Sequence, residues 1–275
     1  MVDHWPAFTD FVRAELATGG PDPQVGILAH LAKPLDQTEK LWLAGCYCSV
    51  HCIPSAHITW QHFRPNDAYF DSSGLEKWLI DHWKGLPVRP EMRSHRMPHK
   101  RAKCLKDFAE YALSWTPAKR VLTYNELWED SISNVKFFGR YMAIKYLEIL
   151  NRMEVINATM PDMRAKGSWS PRMALSMLHP DAPYLAERGN ESKAALLAVD
   201  EWAQVTIWEL EKRGITVSMF QLQVLLCEYK ESLVGGYAPG ASHKEEDEYI
   251  RQALTVFPHD ALETVFDARK ELFGI

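Results

Sequence analysis

Seven arginines and lysines stand in RPEMRSHRMPHKRAKCLK (89–106), against the single acid Glu91. Cations clustered this tightly gain free energy by releasing counterions from a polyanion, so Arg93, Arg96, Lys100, Arg101 and Lys103 are candidate phosphate contacts. The bland alternative is a solvated helix face. A second candidate is VKFFGRYMAIKYLEIL (135–150). Gly139 between two helices allows backbone amides to approach a phosphate, with Arg140 in the first turn of the helix that follows and Lys145 further along it. Phe137 or Phe138 at this turn either wedges into a base stack or packs inward. A third is CYCSVHCIPSAH, with Cys46, Cys48, Cys52, His51 and His57 close together. Zinc ligands usually converge across reverse turns. Here they ride one helix, where Cys46 and Cys48 point roughly 160–200° apart. No metal and no cofactor are expected, and the cysteines read as small buried hydrophobes. Tyr47 and Trp60 in the same segment could line a base pocket.

The elements that would position these residues are helices. Helical spacing predicts 4–16, an apolar helix over 37–52 stopped near Pro54, and a restart at 55–63 behind a Ser N-cap. Segments 72–86 and 99–115 follow, the latter with Ala102, Leu105, Phe108, Ala109, Ala112 and Leu113 on one side. Thr123 and Glu126 have capping-box spacing for a short helix over 123–131. In the helix after Gly139, Met142, Ala143, Tyr146, Leu147 and Leu150 form the inward face. Residues 157–192 read as loop-rich, and long helices return at 192–213 and 216–233. GGYAPGASH (235–243) is a glycine-rich loop before closing helices at 245–256 and 260–272. The expected fold is all-α, in one domain over 1–275 or two packed lobes, with a helix-hairpin-helix region at about 99–150.

Composition sets the outer limits. With 275 residues, 47% hydrophobic, the chain can bury a substantial core. A net charge of −5 argues against a general polyanion binder, though it hides the basic patch. No apolar run approaches the ~20 residues a membrane span needs, and the opening residues lack a signal-peptide core. Five cysteines without secretory context suggest reduced thiols in a cytoplasmic compartment.

The stretch HKRAKCLKDFAEYALSW followed by LTYNELWEDSISNVKFFGRYMAIKYLEIL resembles helix-hairpin-helix DNA glycosylases. Lys103, Leu105, Phe137, Gly139, Arg140 and Ala143 fall near that family's pattern. The usual second hairpin glycine is Phe137 or Phe138 here, and the family's C-terminal iron–sulfur cysteines are absent. Asp162 lies where those enzymes keep a catalytic aspartate, in a different local context. A longer resemblance is to the phage amino acid:DNA transferases, also called α-glutamyl/putrescinyl thymine pyrophosphorylases. It is carried by GRYMAIKYLEIL (139–150) and LLCEYKESLVGGYAPGASHKEEDEY (225–249), supported by WLAGCYCSVHCIPSAHITWQHF (42–63). This resemblance implies a bacteriophage enzyme in the host cytoplasm. Its partners would be DNA with a pyrophosphorylated 5-hydroxymethyl-uracil and an amine donor, such as glycine or a polyamine. The amine displaces pyrophosphate to give a hypermodified thymine. The alternative is a glycosylase that excises a modified base.

The transferase chemistry assigns roles. Extruding a base needs a basic track and an apolar wedge, here the 89–106 patch and Phe138. Departing pyrophosphate needs cations, for which Arg140, Lys145, Arg172 and Lys230 are candidates. The amine must lose a proton to a carboxylate, assigned to Glu228 at the end of an apolar helix, with Asp162 steering the amine. Glu228 and Lys230 read equally well as a solvent-facing pair. Trp169 could stack on the substrate. Tyr237 and the amides of GGYAPG could hold a donor carboxylate, or simply form a connecting loop. No nucleotide-binding phosphate loop is present, so phosphorylation of the base belongs to another enzyme.

Overall fold

The computed structural model describes residues 3–89, 97–136 and 138–275. All regular structure among them is helical. Arg93, Arg96 and Phe137, named above as DNA contacts or wedge, lie outside the described residues. No helix among them is long and apolar enough to cross a membrane. The chain divides into two compact units, one made of the residues through Pro23 with Met160–Ser242, the other of Gln24–Thr159 with His243–Ile275.

In the first unit, α1 (Trp5–Ala17), α10 (Ser170–Leu178) and α11 (Lys193–Glu211) pack on α12 (Met219–Ser232). A capping box starts α12: Ser218 Oγ accepts from Gln221 N at 3.1 Å, and Gln221 Oε1 accepts from Ser218 N at 2.9 Å. The buried Tyr229 ring meets Phe8 at 5.1 Å and Phe11 at 5.6 Å, which joins α12 to α1. Helix α10 breaks the loop expected over 157–192. Pro171 sits in its first turn, where a missing N–H costs nothing, so the proline starts a helix instead of ending one.

The second unit is built around α3 (Gln37–Val50), whose residues from Leu41 to Val50 are all buried. A helix apolar on every side must be surrounded. Here α4 (Ile53–His62), α7 (Pro98–Leu113) and α9 (Arg140–Arg152) pack on it. Gly45 permits the α3–α7 approach, since a Cβ there would lie 2.7 Å from Phe108 Cβ. Short helices α2 (Pro23–Leu31), α5 (Pro65–Phe70) and α6 (Ser72–Asp81), with α13 (Ala241–Ala253) and α14 (Glu263–Phe273), complete the set. The break after α3 falls at His51 and Cys52. Pro54 lies in the first turn of α4, which corrects the expected Ser N-cap: Ser55 instead donates its hydroxyl to Pro87 O at 2.7 Å. Helix α8 (Tyr124–Asn134) keeps its capping box, with Thr123 Oγ accepting from Glu126 N at 3.3 Å and Glu126 Oε2 from Thr123 N at 2.7 Å.

Candidate functional site

The connection 135–139 joins α8 to α9, and these helices pack together as the expected hairpin requires. Gly139 is the N-cap of α9, exposed and extended at φ −86°, and no side chain caps the helix. Any residue could adopt that backbone. A Cβ there would meet nothing within 4 Å, so the space beside this turn is open whichever residue stands at 139. This end of α9 therefore combines a partial positive charge with open access. Phe138 does not wedge outward. It is buried edge-on against Phe108 at 5.2 Å and Tyr146 at 5.7 Å, and so anchors the hairpin to α7 and α9. The inward face expected for α9 is buried as read.

Arg140 stands half-exposed at the start of α9. One turn further, Lys145 is 2% exposed, its ammonium 5.6 Å from the centre of the Tyr141 ring. Beside it lies His51, the residue that ends α3 in the left-handed region at φ 54°. A non-glycine residue in that conformation stores about 1–3 kcal/mol of strain and persists only where its surroundings enforce it. Edge contacts to Tyr47 at 5.3 Å and Tyr141 at 5.5 Å hold the imidazole, and the His51 backbone N–H donates to Tyr47 O at 2.6 Å. Neither ring nitrogen, both buried, has a hydrogen-bond partner among the described residues. Burial, then the charges of Arg89 and Lys145, hold its pKa well below the ordinary histidine value, so the ring is neutral at pH 7. Tyr47 is thus a fully buried supporting residue, whose ring does not line an open pocket.

Arg89 links this group to a carboxyl that the sequence reading overlooked. Arg89 pairs with Glu245 at 2.8 Å. Next in sequence, Glu246 is buried and accepts from Ile53 N at the start of α4 and from Gln24 Nε2, each at 3.4 Å. Burial raises its pKa to about 7, against the lowering effect of Ile53, Gln24, Arg89 and Arg269. Glu246 shares a stripe of α13 with Ser242, Ile250 and Ala253, all buried. That i, i+4 spacing was the available signal, obscured by the acidic run HKEEDEY. His57, like His51 named from the sequence only as part of the cysteine cluster, is a second buried imidazole. Its Nε2 lies 2.9 Å from Thr264 Oγ, it stacks on Trp60 at 5.5 Å, and burial lowers its pKa to about 4. The half-buried Trp60 therefore has a ring partner within the protein.

The remaining expectations divide sharply. Arg101 is fully buried with its guanidinium 4.4 Å from the Trp83 ring, so it is a core cation and not a surface phosphate contact. Lys100 and Lys103, on the same helix, stay half-exposed and exposed. Arg172 donates to Asn190 O and Tyr184 O at 2.7 Å and to Glu187 O at 3.2 Å, closing its own loop instead of awaiting pyrophosphate. Trp169 is half-buried at the N-cap of α10, 6.0 Å from that guanidinium. Asp162 accepts from Arg164 N at 3.0 Å and pairs with Arg164 Nε at 3.3 Å, a local turn. Lys230 pairs with Glu231 at 2.8 Å. The Tyr237 hydroxyl donates to Glu15 Oε1 at 3.0 Å, while Gly240 N–H donates to Glu15 Oε2 at 3.2 Å. The carboxylate held by the glycine-rich loop is therefore the protein's own. Glu228 is half-buried on α12, and its charge helps burial to raise the Tyr237 pKa. Glu228, Lys230, Asp162, Arg172, Trp169 and Tyr237 belong to the first unit, and Gly139, Arg140, Lys145, Tyr47 and Trp60 to the second.

Cys46, Cys48, Cys52 and Cys104 are buried, and burial raises the thiols of Cys46, Cys52 and Cys104. Cys52 Sγ donates to Pro87 O at 3.1 Å. These are packed thiols. Among the described residues, no three His, Cys, Asp or Glu side chains are grouped to hold a metal ion. Compared with models of known families, with curated proteins and with solved structures, the chain matches none.

Proposed function

We propose that the chain is a DNA base-hypermodifying transferase, in which an amine displaces pyrophosphate from a pyrophosphorylated 5-hydroxymethyl-uracil in DNA. The observation that carries the reading is the open, uncapped start of α9 at Gly139, followed by Arg140, Lys145 and the neutral His51. In this reading a DNA phosphate lies against the α9 amides, and Lys100 and Lys103 extend the cationic track. The amine nitrogen forms a bond to the base's methylene carbon as the carbon–oxygen bond to pyrophosphate breaks. The electron pair leaves with pyrophosphate, whose charge Arg140 stabilises by contact and the buried Lys145 through its field. The proton lost by the amine goes to a carboxylate. Glu228 of the first unit is the assignment made from sequence. Glu246 of the second is buried against Gln24 and the Ile53 amide, so Glu228, half-buried, is the carboxylate with access to solvent.

The test is direct. DNA bearing the pyrophosphorylated base is incubated with the protein and a panel of amines, including glycine and polyamines, then digested to nucleosides for mass spectrometry. An amine-adducted thymine nucleoside with released pyrophosphate is the expected result, lost in Arg140→Gln and Glu228→Gln. Unchanged nucleosides with every amine would overturn the reading, and abasic sites with free base would replace it with a glycosylase.

A further inference from the structure

A second feature lies in the same unit, at the far end of α9, and the proposed reaction does not use it. The last turn of α9 meets α2, α3 and α14 around a cleft of about 350 Å³, at the lower end of the size range of small-molecule sites. Three cations line it, Lys33, Lys40 and Arg152, against one lining carboxylate, Glu154, while Ala29 and Leu272 give an apolar wall. Glu154 turns the chain in the left-handed region at φ 62°, and Val155 N–H returns to Leu150 O at 2.9 Å, ending the helix.

The cations differ in how they are held. Lys40 donates to Met153 O at 3.0 Å, which fixes its ammonium at the rim with only one of its three protons used by this bond. The same bond offsets the partial negative charge of the α9 C-terminus, which would otherwise repel an anion. Lys33 lies 3.2 Å from His30 Nδ1 and 3.7 Å from Glu271, a loose arrangement. Arg152 is exposed and makes no hydrogen bond or ion pair with any described residue, so its planar fork is available for a bidentate oxyanion.

We propose that this cleft binds a small phosphomonoester, with Arg152 and Lys40 holding the phosphate and the Ala29–Leu272 wall accepting the organic group. A phosphomonoester carries close to two negative charges at neutral pH. That complements Arg152 and Lys40, neither of which is in an ion pair with a described residue, while Lys33 is shared with Glu271; a carboxylate would neutralise only one of the two.

Isothermal titration of the full chain at low ionic strength tests this with glycerol phosphate, phenyl phosphate, inorganic phosphate and sulfate. Both esters should saturate, phenyl phosphate should bind more tightly than inorganic phosphate or sulfate, which carry the charge without the organic group, and Arg152→Gln should weaken the esters about tenfold. Lys77→Gln, an exposed change paired with Asp81 outside the cleft, should leave binding unaltered. Thermal melts run beside the titrations separate binding from a purely structural Arg152 capping the helix end, which would alter stability alone. Absence of saturation, equal affinity for sulfate, or wild-type ester binding by Arg152→Gln would each overturn the proposal.

Discussion

Two polar groups, one in each unit, are built to opposite plans. Around Glu15 the demands are met: Tyr237 and Gly240 each donate to one of its oxygens, and the glycine-rich loop is thereby clasped to α1. Around His51 they are not. A neutral imidazole is buried in a strained backbone conformation between Tyr47 and Tyr141, under the field of Arg89 and Lys145, with both nitrogens left over. Burying a polar group without a hydrogen bond costs free energy that a merely structural site would avoid. The contrast separates a loop fastening, which sequence motifs had suggested as a ligand site, from a group with unused chemistry, which they had placed only in a metal-like cluster.

The largest expected effect sharpens the second group. Glu246 faces Gln24, the Ile53 amide, Arg89, Arg269 and Cys52. Its pKa rises on folding from 4.5 to about 7, so the folded state prefers the protonated carboxyl. Its contribution to stability is full below 4.5 and is lost as pH rises through about 7, a change of about 3 kcal/mol. Urea denaturation of Glu246→Gln at pH 8 should therefore show a gain of up to about 3 kcal/mol over wild type, shrinking toward zero at pH 4. His57 runs the other way: its pKa falls from 6.5 to about 4, so its contribution is present above 6.5 and lost as pH falls through about 4. The variant should retain that acid limb.

Next in size is the fastening itself. Glu15→Ala leaves the Tyr237 hydroxyl and Gly240 amide without their acceptor and should cost about 2 kcal/mol, against about 1 kcal/mol for Tyr237→Phe, by urea denaturation at pH 7. If either variant instead changed amine transfer while leaving stability intact, the clasp would have to be reclassified as a working site. The smallest effect is expected at the open helix start. Arg140→Gln should weaken duplex DNA binding a few-fold and reduce the salt slope of log K by about 1, measured by fluorescence anisotropy across ionic strengths.

Much of the fold was legible because local rules and tertiary packing agree there. The Thr123–Glu126 box, the amphipathic α7 and the buried face of α9 all follow from spacing. Prolines misled where they opened helices: a helix was stopped near Pro54, and Pro171 lay in the stretch read as loop-rich, although proline is as well suited to a first turn. The site was less legible, because charge was taken as a sign of exposure. Arg101 shares its stripe with Leu105, Phe108 and Ala112, and Lys145 shares its own with Met142 and Ile149; both stripes are buried. Spacing placed these cations inside, while residue type suggested outside, and spacing was the better guide. His51 stood out only as a member of the cysteine cluster, since the environment that leaves it neutral is assembled from α3, α9 and the segment carrying Arg89.

The contact between Gly45 and Phe108 also constrains how this sequence can change. A methyl group at position 45 would meet both the Cβ and the ring of Phe108, so the smaller residue cannot be replaced without forcing two central helices apart. Shortening position 108 does not open the space, because its Cβ, 2.7 Å from the added methyl, is kept by every residue except glycine. Lineages that diverge here should therefore vary position 108 while holding glycine at 45, and Phe108→Leu should not rescue Gly45→Ala.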